Sequence, residues 1–437
     1  MMFAVWLAVG VAPSWAVTLD EALSAAETHA VEVGLVRENT HATETLTGQA
    51  LSQLTPKLVA AGDYNVNQYE IALDSSAMIP PEFADLIEPT DPIVIQKKQF
   101  LTWNATVVQP LLNGQAFPAY LAAKKVVAAA RADEQGQLQQ IRAGVAKSFY
   151  GLLTARKAVS LAEKAEVLAQ AQLEVARRSV AAGTEPPRTN LQAELRVSQS
   201  HRDVLTARQQ LRNAEIAFGR MTGLAADAPL DEPPPIAVPA SLNEALAASG
   251  TRPDIAAADL RVGAVRHTRM AHDLGWAPSF SGRFTYNWTE NTGFAGKKGI
   301  WVAALHADWV LWDGGYRIAK SAEYQAQAHA AGLYAEKVRL DATSQVEGAW
   351  EALRRADAAV VATEQESKLA KENFRLANDG LAAGTATWLE VSMAELGVQS
   401  AELNALIERM NRDFSAIDLR VAMGEWRSAS QSPPAAR

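Results

Sequence analysis

The sequence predicts a mainly helical chain with a small β part, in which one helix-strand-strand-long helix-turn-helix unit occurs twice. Three observations predict it. Short motifs recur in the same order in the two halves of the 437 residues. Four runs of about ten residues alternate apolar and polar side chains, the period of a strand with one apolar face. Two stretches, 115–180 and 316–381, are rich in Ala, Leu, Glu, Gln and Arg and contain no proline apart from Pro118, which favours long helices.

At 48% apolar and 21% charged residues the chain has the material for a core, and its net charge of -8 argues against a nucleic-acid partner. Residues 1–16, MMFAVWLAVGVAPSWA, form an apolar run closed by Ser14-Trp15-Ala16, a small-x-small site before Val17. They read as a signal peptide, although no Lys or Arg precedes the run. A short buried N-terminal helix is the alternative. After Ala16 no stretch approaches the roughly 18 consecutive apolar residues of a transmembrane helix, so any membrane must be met by strands. With no cysteine the chain has neither a disulfide framework nor a lipid-modified N-terminal Cys.

The duplication sets the domain boundaries. Leu19-Asp20-Glu21-Ala22-Leu23 recurs as Leu242-Asn243-Glu244-Ala245-Leu246, and Pro56-Lys57-Leu58 as Pro278-Ser279-Phe280. Further on, Lys97-Lys98 answers Lys297-Lys298, Leu111-Leu112-Asn113-Gly114 answers Leu311-Trp312-Asp313-Gly314, and Ala182-Gly183-Thr184 answers Ala383-Gly384-Thr385. The offset falls from 222 to 200 residues within 74–97, so one loop accounts for the change. Repeats at 17–224 and 242–426 follow, joined by an acidic, Pro-rich linker at 225–241 and ended by a disordered tail at 427–437.

Within the first repeat, Leu58, Ala60, Tyr64 and Val66 alternate with Val59, Ala61, Asp63, Asn65 and Asn67, and Leu101, Trp103, Ala105 and Val107 with Thr102, Asn104 and Thr106. In the second, Phe280, Phe284, Tyr286 and Trp288 alternate with Ser279, Ser281, Arg283, Thr285, Asn287 and Thr289, and Trp301, Ala303, Leu305, Ala307, Trp309 and Leu311 share a face. Strands are expected at about 57–73, 98–112, 278–290 and 299–312. Such lengths let a tilted strand cross a bilayer. Five of the 11 tryptophans crowd between Trp276 and Trp312, which suits aromatic belts at the lipid interfaces. Trp103, Tyr286, Trp288, Trp301 and Trp309 are the expected belt residues. A soluble sandwich would alternate in the same way. If the strands do meet lipid, four cannot close a barrel, for which about eight is the minimum, so other copies must supply the rest.

The long helices span about 100 Å each at 1.5 Å per residue. Val145, Phe149, Leu152, Val159, Leu173 and Val180 keep one heptad phase, and Val346, Trp350, Leu353, Val360, Phe374 and Leu381 keep it again 201 residues later. A seven-residue seam implies coiled-coil packing. At Gly183 and Gly384 the chain turns, the following Thr is expected to cap the returning helix, and the returns run to about Met221 and Met423.

The repeated Leu-x-Glu-Ala-Leu starts, the strand openings at Pro56 and Pro278, the strand exits Gln109-Pro110-Leu111-Leu112-Asn113-Gly114 and Leu311-Trp312-Asp313-Gly314-Gly315, and the Ala-Gly-Thr tips together resemble the TolC-type outer-membrane efflux family over nearly the whole chain. The resemblance implies a homotrimer whose protomers each give four strands to a 12-stranded β-barrel and their helices to a long periplasmic α-helical barrel. It implies a place in the outer membrane of a Gram-negative bacterium, with outer-membrane lipid around the barrel. The function implied is a passive exit duct of a tripartite efflux or type I secretion system. A periplasmic adaptor (membrane fusion protein) and an inner-membrane transporter would be its partners, and no cofactor is needed. In that picture 74–97 is the long outward loop.

The same resemblance marks candidate sites. Such channels carry a pore-facing acid on the helix after the second turn, and Glu390 stands there, six residues past Gly384. Met393 replaces a second acid, and Thr189, beside Arg188, is the first-repeat counterpart of Glu390. Leu381 and Ala386 occupy the places where some members lock the closed state with a Tyr and an Arg. The expected constriction is therefore Leu381, Thr189 and a ring of three Glu390 carboxylates. A solvated acid near a helix start explains Glu390 equally well. Gly183, Thr184, Gly384 and Thr385 are the expected adaptor contacts, although a glycine ends a helix in any case. The lysine pairs sit at the loop side of the returning strands, where a plain hairpin end is the simpler explanation than a lipid-phosphate contact.

No catalytic or metal site is expected. His29, His41, His201, His267, His272, His306 and His329 are scattered, and His267 and His272 are five apart, not the four that align two ligands on a helix. No phosphate-binding loop or nucleophile elbow appears. The rival reading is a periplasmic adaptor or structural coiled coil without a pore, which would need no duplicated tryptophan-rich hairpins.

Overall fold

A computed structural model describes residues 16–73, 92–225 and 227–426. The expected signal peptide up to Trp15, most of the expected outward loop and the expected tail lie outside the described residues. The order of elements is α1 (Leu19–His29), α2 (Val31–Leu51), β1 (Lys57–Val66), β2 (Ile71–Leu73), β3 (Ile93–Gln96), β4 (Gln99–Leu112), α3 (Ala116–Ala181) and α4 (Arg188–Thr222), then α5 (Leu242–Ser249), α6 (Pro253–Asp273), β5 (Ser279–Thr289), β6 (Gly299–Asp308), α7 (Tyr316–Ala382) and α8 (Trp388–Ala422). The unit of helix, two strands, long helix, turn and helix thus occurs twice. The chain divides into two compact units, one containing 130–257 and the residues from Ala335 on together with the chain before His41, the other containing 41–129 and 258–334.

In the first unit the recurrent Leu-x-Glu-Ala-Leu is a helix start. Thr18 Oγ1 accepts from Glu21 N at 3.2 Å while Thr18 N donates to Glu21 Oε2 at 2.9 Å, a reciprocal cap that satisfies two backbone donors. Ser241 and Glu244 repeat it at the head of α5, with Glu244 N donating to Ser241 Oγ and Ala240 N to Glu244 Oε2. Each start then buries its alanine and leucine side. Ala22, Leu23 and Ala26 pack with Val145, Phe149, Leu152 and Phe218, and Ala245 packs with Val346, Leu353 and Leu419. The two cores are counterparts, since Val346, Leu353 and Leu419 lie 201 residues after Val145, Leu152 and Phe218. All the expected seam residues of α3 and α7 are buried or half-buried. Burying each large side chain contributes about 1.5–3 kcal/mol.

The second unit holds a four-stranded antiparallel sheet in the order β1-β4-β5-β6, with β2 and β3 as a separate ribbon. The hairpins of the two repeats therefore join edge to edge through β4 and β5. Two strand ends differ from the sequence expectation. The first strand stops at Val66 rather than running to 73, because Asn67 turns to bond Lys98 O with its N–H and Lys97 O with its side chain, and 71–73 pairs separately with 93–96. The fourth stops at Asp308 rather than 312, because its partner β5 begins opposite it at Ser279, just after Pro278. Trp309 and Leu311 are thus outside the strand. In β4 the register shifts between Pro110 and Leu112, where proline has no N–H for the ladder.

The strand exits are built for the turn into the long helices. Asp313 Oδ2 accepts from Arg317 N at 3.1 Å and Arg317 Nε at 2.8 Å, while Gly314 and Gly315 take φ of +69° and +88°. Arg317, 7% exposed, also donates to the carbonyls of Gly275 and Val310 and lies 4.1 Å from the Trp276 ring centre. Among the described residues no helix is long and apolar enough to cross a membrane.

Candidate functional site

Two places concentrate features that packing within one chain leaves unused, and the first is the sheet. The registers put Leu58, Ala60, Gly62, Tyr64 and Val66 opposite Val107, Ala105, Trp103, Leu101 and Gln99. On the other side Trp103, Ala105 and Val107 face Trp288, Tyr286 and Phe284, which face Gly299, Trp301 and Ala303. Because side chains alternate across a strand, all these residues share one face, and Gln99 at its rim is the one polar member. The opposite face carries Asp63, Asn65, Thr102, Asn104, Thr106, Arg283, Thr285, Asn287 and His306, with Thr106 and Thr285 hydroxyls 3.0 Å apart.

The apolar face is organised by its rings. Trp103 lies 5.4 Å from Tyr286 and 6.4 Å from Trp288, and Phe284 lies 6.0 Å from Trp301, centroid to centroid. Gly299 lets the ring lie close, since a Cβ would stand 2.3 Å from the Tyr286 hydroxyl and the ring would have to shift. Nothing among the described residues covers this face: Leu58 is 73% exposed, Trp301 65% and Leu305 71%. β1 and β6 are edge strands with one ladder each. Of the expected belt residues, Trp103, Tyr286, Trp288 and Trp301 come together on the face. Trp309 stands apart beyond β6, where its indole N–H donates to Trp276 O at 3.1 Å.

The second place is the pair of hairpin tips. Gly183 and Gly384 take φ of +74° and +73° with open space around them, so backbone conformation alone selects glycine. Thr184 N donates to Ser179 O and Thr385 N to Gly380 O, at 3.0 and 2.8 Å, closing the end of each long helix. The two threonine hydroxyls bond these same carbonyls, at 2.9 and 3.1 Å. They therefore finish the outgoing helix, contrary to the expectation that they cap the returning one.

The returning helices start differently. On α8, Thr387 and Glu390 form a capping box: Glu390 N donates to Thr387 Oγ1 at 3.3 Å, and Glu390 Oε2 accepts from Thr387 N at 2.7 Å and from the Thr387 hydroxyl at 3.0 Å. The bonds from the Thr387 backbone and then its hydroxyl hold the Glu390 carboxyl below the usual carboxylate range. On α4, Pro187 takes the cap position with no side-chain bond. Glu390 is exposed and Leu381 half-buried, but Thr189 is 3% exposed, its hydroxyl 3.3 Å from Glu185 Oε2. Thr189 is thus buried in the single chain where Leu381 is half-buried and Glu390 exposed.

Sequence reading missed Trp388. Its ring is 7% exposed and packs with Ala176 of α3 and Ala193 of α4, tying the second tip to the first hairpin. Along α8, Leu389, Met393, Leu396, Leu403 and Ile407 form an exposed stripe at heptad spacing.

Comparison with known proteins bears on both places. The family described as "Outer membrane efflux protein" matches residues 91–224 and 243–425. No curated protein sequence is a significant match. Among solved structures the chain is similar to CusC, at 15% identity and TM-score 0.78 over 93% of this chain and 92% of that one. It is similar to the outer membrane protein VceC of Vibrio cholerae, at 17% identity and TM-score 0.74 over 93% and 96%. It is also similar to the MtrE outer membrane channel of Neisseria gonorrhoeae, at 20% identity and TM-score 0.75 over 93% and 88%. At these identities the likeness establishes the fold.

Proposed function

The chain belongs to the outer membrane efflux protein family, and from that premise we propose that it is the exit duct of a tripartite efflux or type I secretion system in a Gram-negative outer membrane. The observation that carries this is the uncovered apolar face shared by all four long strands. In water such a surface is a liability; against lipid chains it is the favourable side of a spanning sheet. A bilayer tolerates no open sheet edge, because unpaired N–H and C=O groups there have no water. Edge β6 of one copy therefore pairs with edge β1 of the next, and three copies close a barrel of 12 strands. The polar face with Asp63, Asn104, Arg283 and Asn287 then lines a wet lumen.

Trp103, Tyr286, Trp288, Trp301 and Trp309 meet the lipid in this arrangement. The helices continue the lumen as a tunnel, with the exposed α8 stripe facing a neighbouring copy. Its inner end closes on Leu381 and the exposed Glu390 ring. Cargo delivered by an inner-membrane transporter passes down its gradient, and the tips at Gly183, Thr184, Gly384 and Thr385 contact a periplasmic adaptor. Carbonate extraction of cell envelopes tests the placement. The protein is expected in the outer-membrane pellet, and release into the soluble fraction would return the rival reading of a periplasmic coiled coil. Crosslinking from Thr385→Cys, in a chain free of other thiols, is expected to capture the adaptor; capture only from cysteines placed away from the turns would move that contact elsewhere.

A further inference from the structure

Behind the tips a polar cluster is enclosed by α3, α4 and α8. Glu395 on α8 is 3% exposed and Arg196 on α4 is 5% exposed. Glu395 lies 11 residues past Gly384, and Gln172 on α3 lies 11 before Gly183, so both stand about 16 Å from the turns. Four atoms here have no hydrogen-bond partner: both carboxyl oxygens of Glu395, Oε1 of Gln172 and Nε of Arg196. Arg196 donates instead through a terminal nitrogen to Gln399 Oε1, one helical turn beyond Glu395. Beside Glu395 is a cavity of about 120 Å³, walled by Leu161, Leu168 and Phe374 and reached by Lys164 and Glu402.

A buried carboxylate without donors is unfavourable, and the orphan atoms suggest two ways out. As a neutral acid, Glu395 has an O–H to give, and Gln172 Oε1 is an acceptor lacking a donor. As an anion, it has use for the idle Nε–H of Arg196. Burial pushes the Glu395 carboxyl up, opposed by the Arg196 charge and by Gln172, whose amide N–H can turn to the anion as its oxygen can to the neutral acid. The other charged groups at the cavity are Lys164 from α3 and Glu402 from α8. From α7 the cavity receives Phe374, while Lys371 is engaged with Glu402 at 2.7 Å.

We propose that Glu395 is a proton-operated latch behind the tips: protonated, it bonds Gln172 and holds α3, α4 and α8 together; deprotonated, it draws Arg196 from Gln399 and loosens that packing. The proton is released to water through the adjoining cavity. The sign follows from linkage. A carboxyl whose folded value is raised favours the folded packing below the ordinary carboxylate range, and that contribution is lost as pH rises through the raised value.

Infrared difference spectra and amide hydrogen exchange of residues 391–405, on the purified full chain between about pH 4 and pH 8, test the latch. A protonated-carboxyl band is expected in the wild type and absent in Glu395→Gln. Exchange, corrected for its intrinsic pH dependence, is expected to accelerate about tenfold across the titration in the wild type and to stay flat in Glu395→Gln. Arg196→Gln removes the opposing charge, so its midpoint is expected to rise by about one pH unit or more. Identical spectra and exchange profiles in wild type and Glu395→Gln, or an unmoved midpoint in Arg196→Gln, would overturn the proposal. Neither readout needs a conducting pore, so failure here leaves the channel assignment untouched.

Discussion

Glu390 has two jobs to reconcile, and its surroundings show how. Its carboxylate is already tied to Thr387 at the start of α8, and those bonds lower its titration in the single chain, an effect that mutual repulsion in the proposed ring of three opposes. If the proposed ring lines the lumen, cation selectivity fades as pH falls through the carboxylate range; Glu390→Gln removes it at neutral pH. Reversal potentials across a planar bilayer check this, and a variant with unchanged selectivity takes Glu390 out of the pore. Thr387→Ala loses the cap and is expected to cost about 1 kcal/mol of stability in a denaturant titration. Trp388→Ala is expected to cost about 3 kcal/mol or more, because the ring fills the space between two alanines. A cost below about 1 kcal/mol would mean that the site collapses around the loss. The turn glycines were legible in the sequence because helix ends follow local rules, whereas Glu390 was marked only by resemblance and its capping partner Thr387 was not anticipated. Trp388 was not legible, because the alanines that receive it lie on helices distant in sequence; nor was the burial of Thr189.

At the scale of elements, the period of the side chains carried most of the information. The long helices end within a residue or two of where the proline-free stretches end, and every strand begins within two residues of its expected start. Strand ends were less legible, since Val66 and Asp308 stop where partner strands stop, and a partner's register is not written in the strand itself. The lipid contact of the apolar face predicts a sided response to charge. Ala105→Arg, on that face, is expected to lose about 2–4 kcal/mol in unfolding from bilayers if it sits near the midplane. Thr285→Arg, on the opposite face, is expected to change little. Equal costs on the two faces would place the sheet in water.

For the whole molecule, the sequence indicated that four strands cannot close and that copies must join, and the sheet is accordingly open at β1 and β6. The same logic covers the exposed heptad stripe of α8, which has no partner among the described residues. The proposed association of three copies would give both surfaces a partner. The most direct measurement is the mass of the purified, processed protein with and without detergent. The account predicts a particle of three chains that forms only with detergent or lipid and precipitates without it; a monodisperse single chain in plain buffer would contradict it.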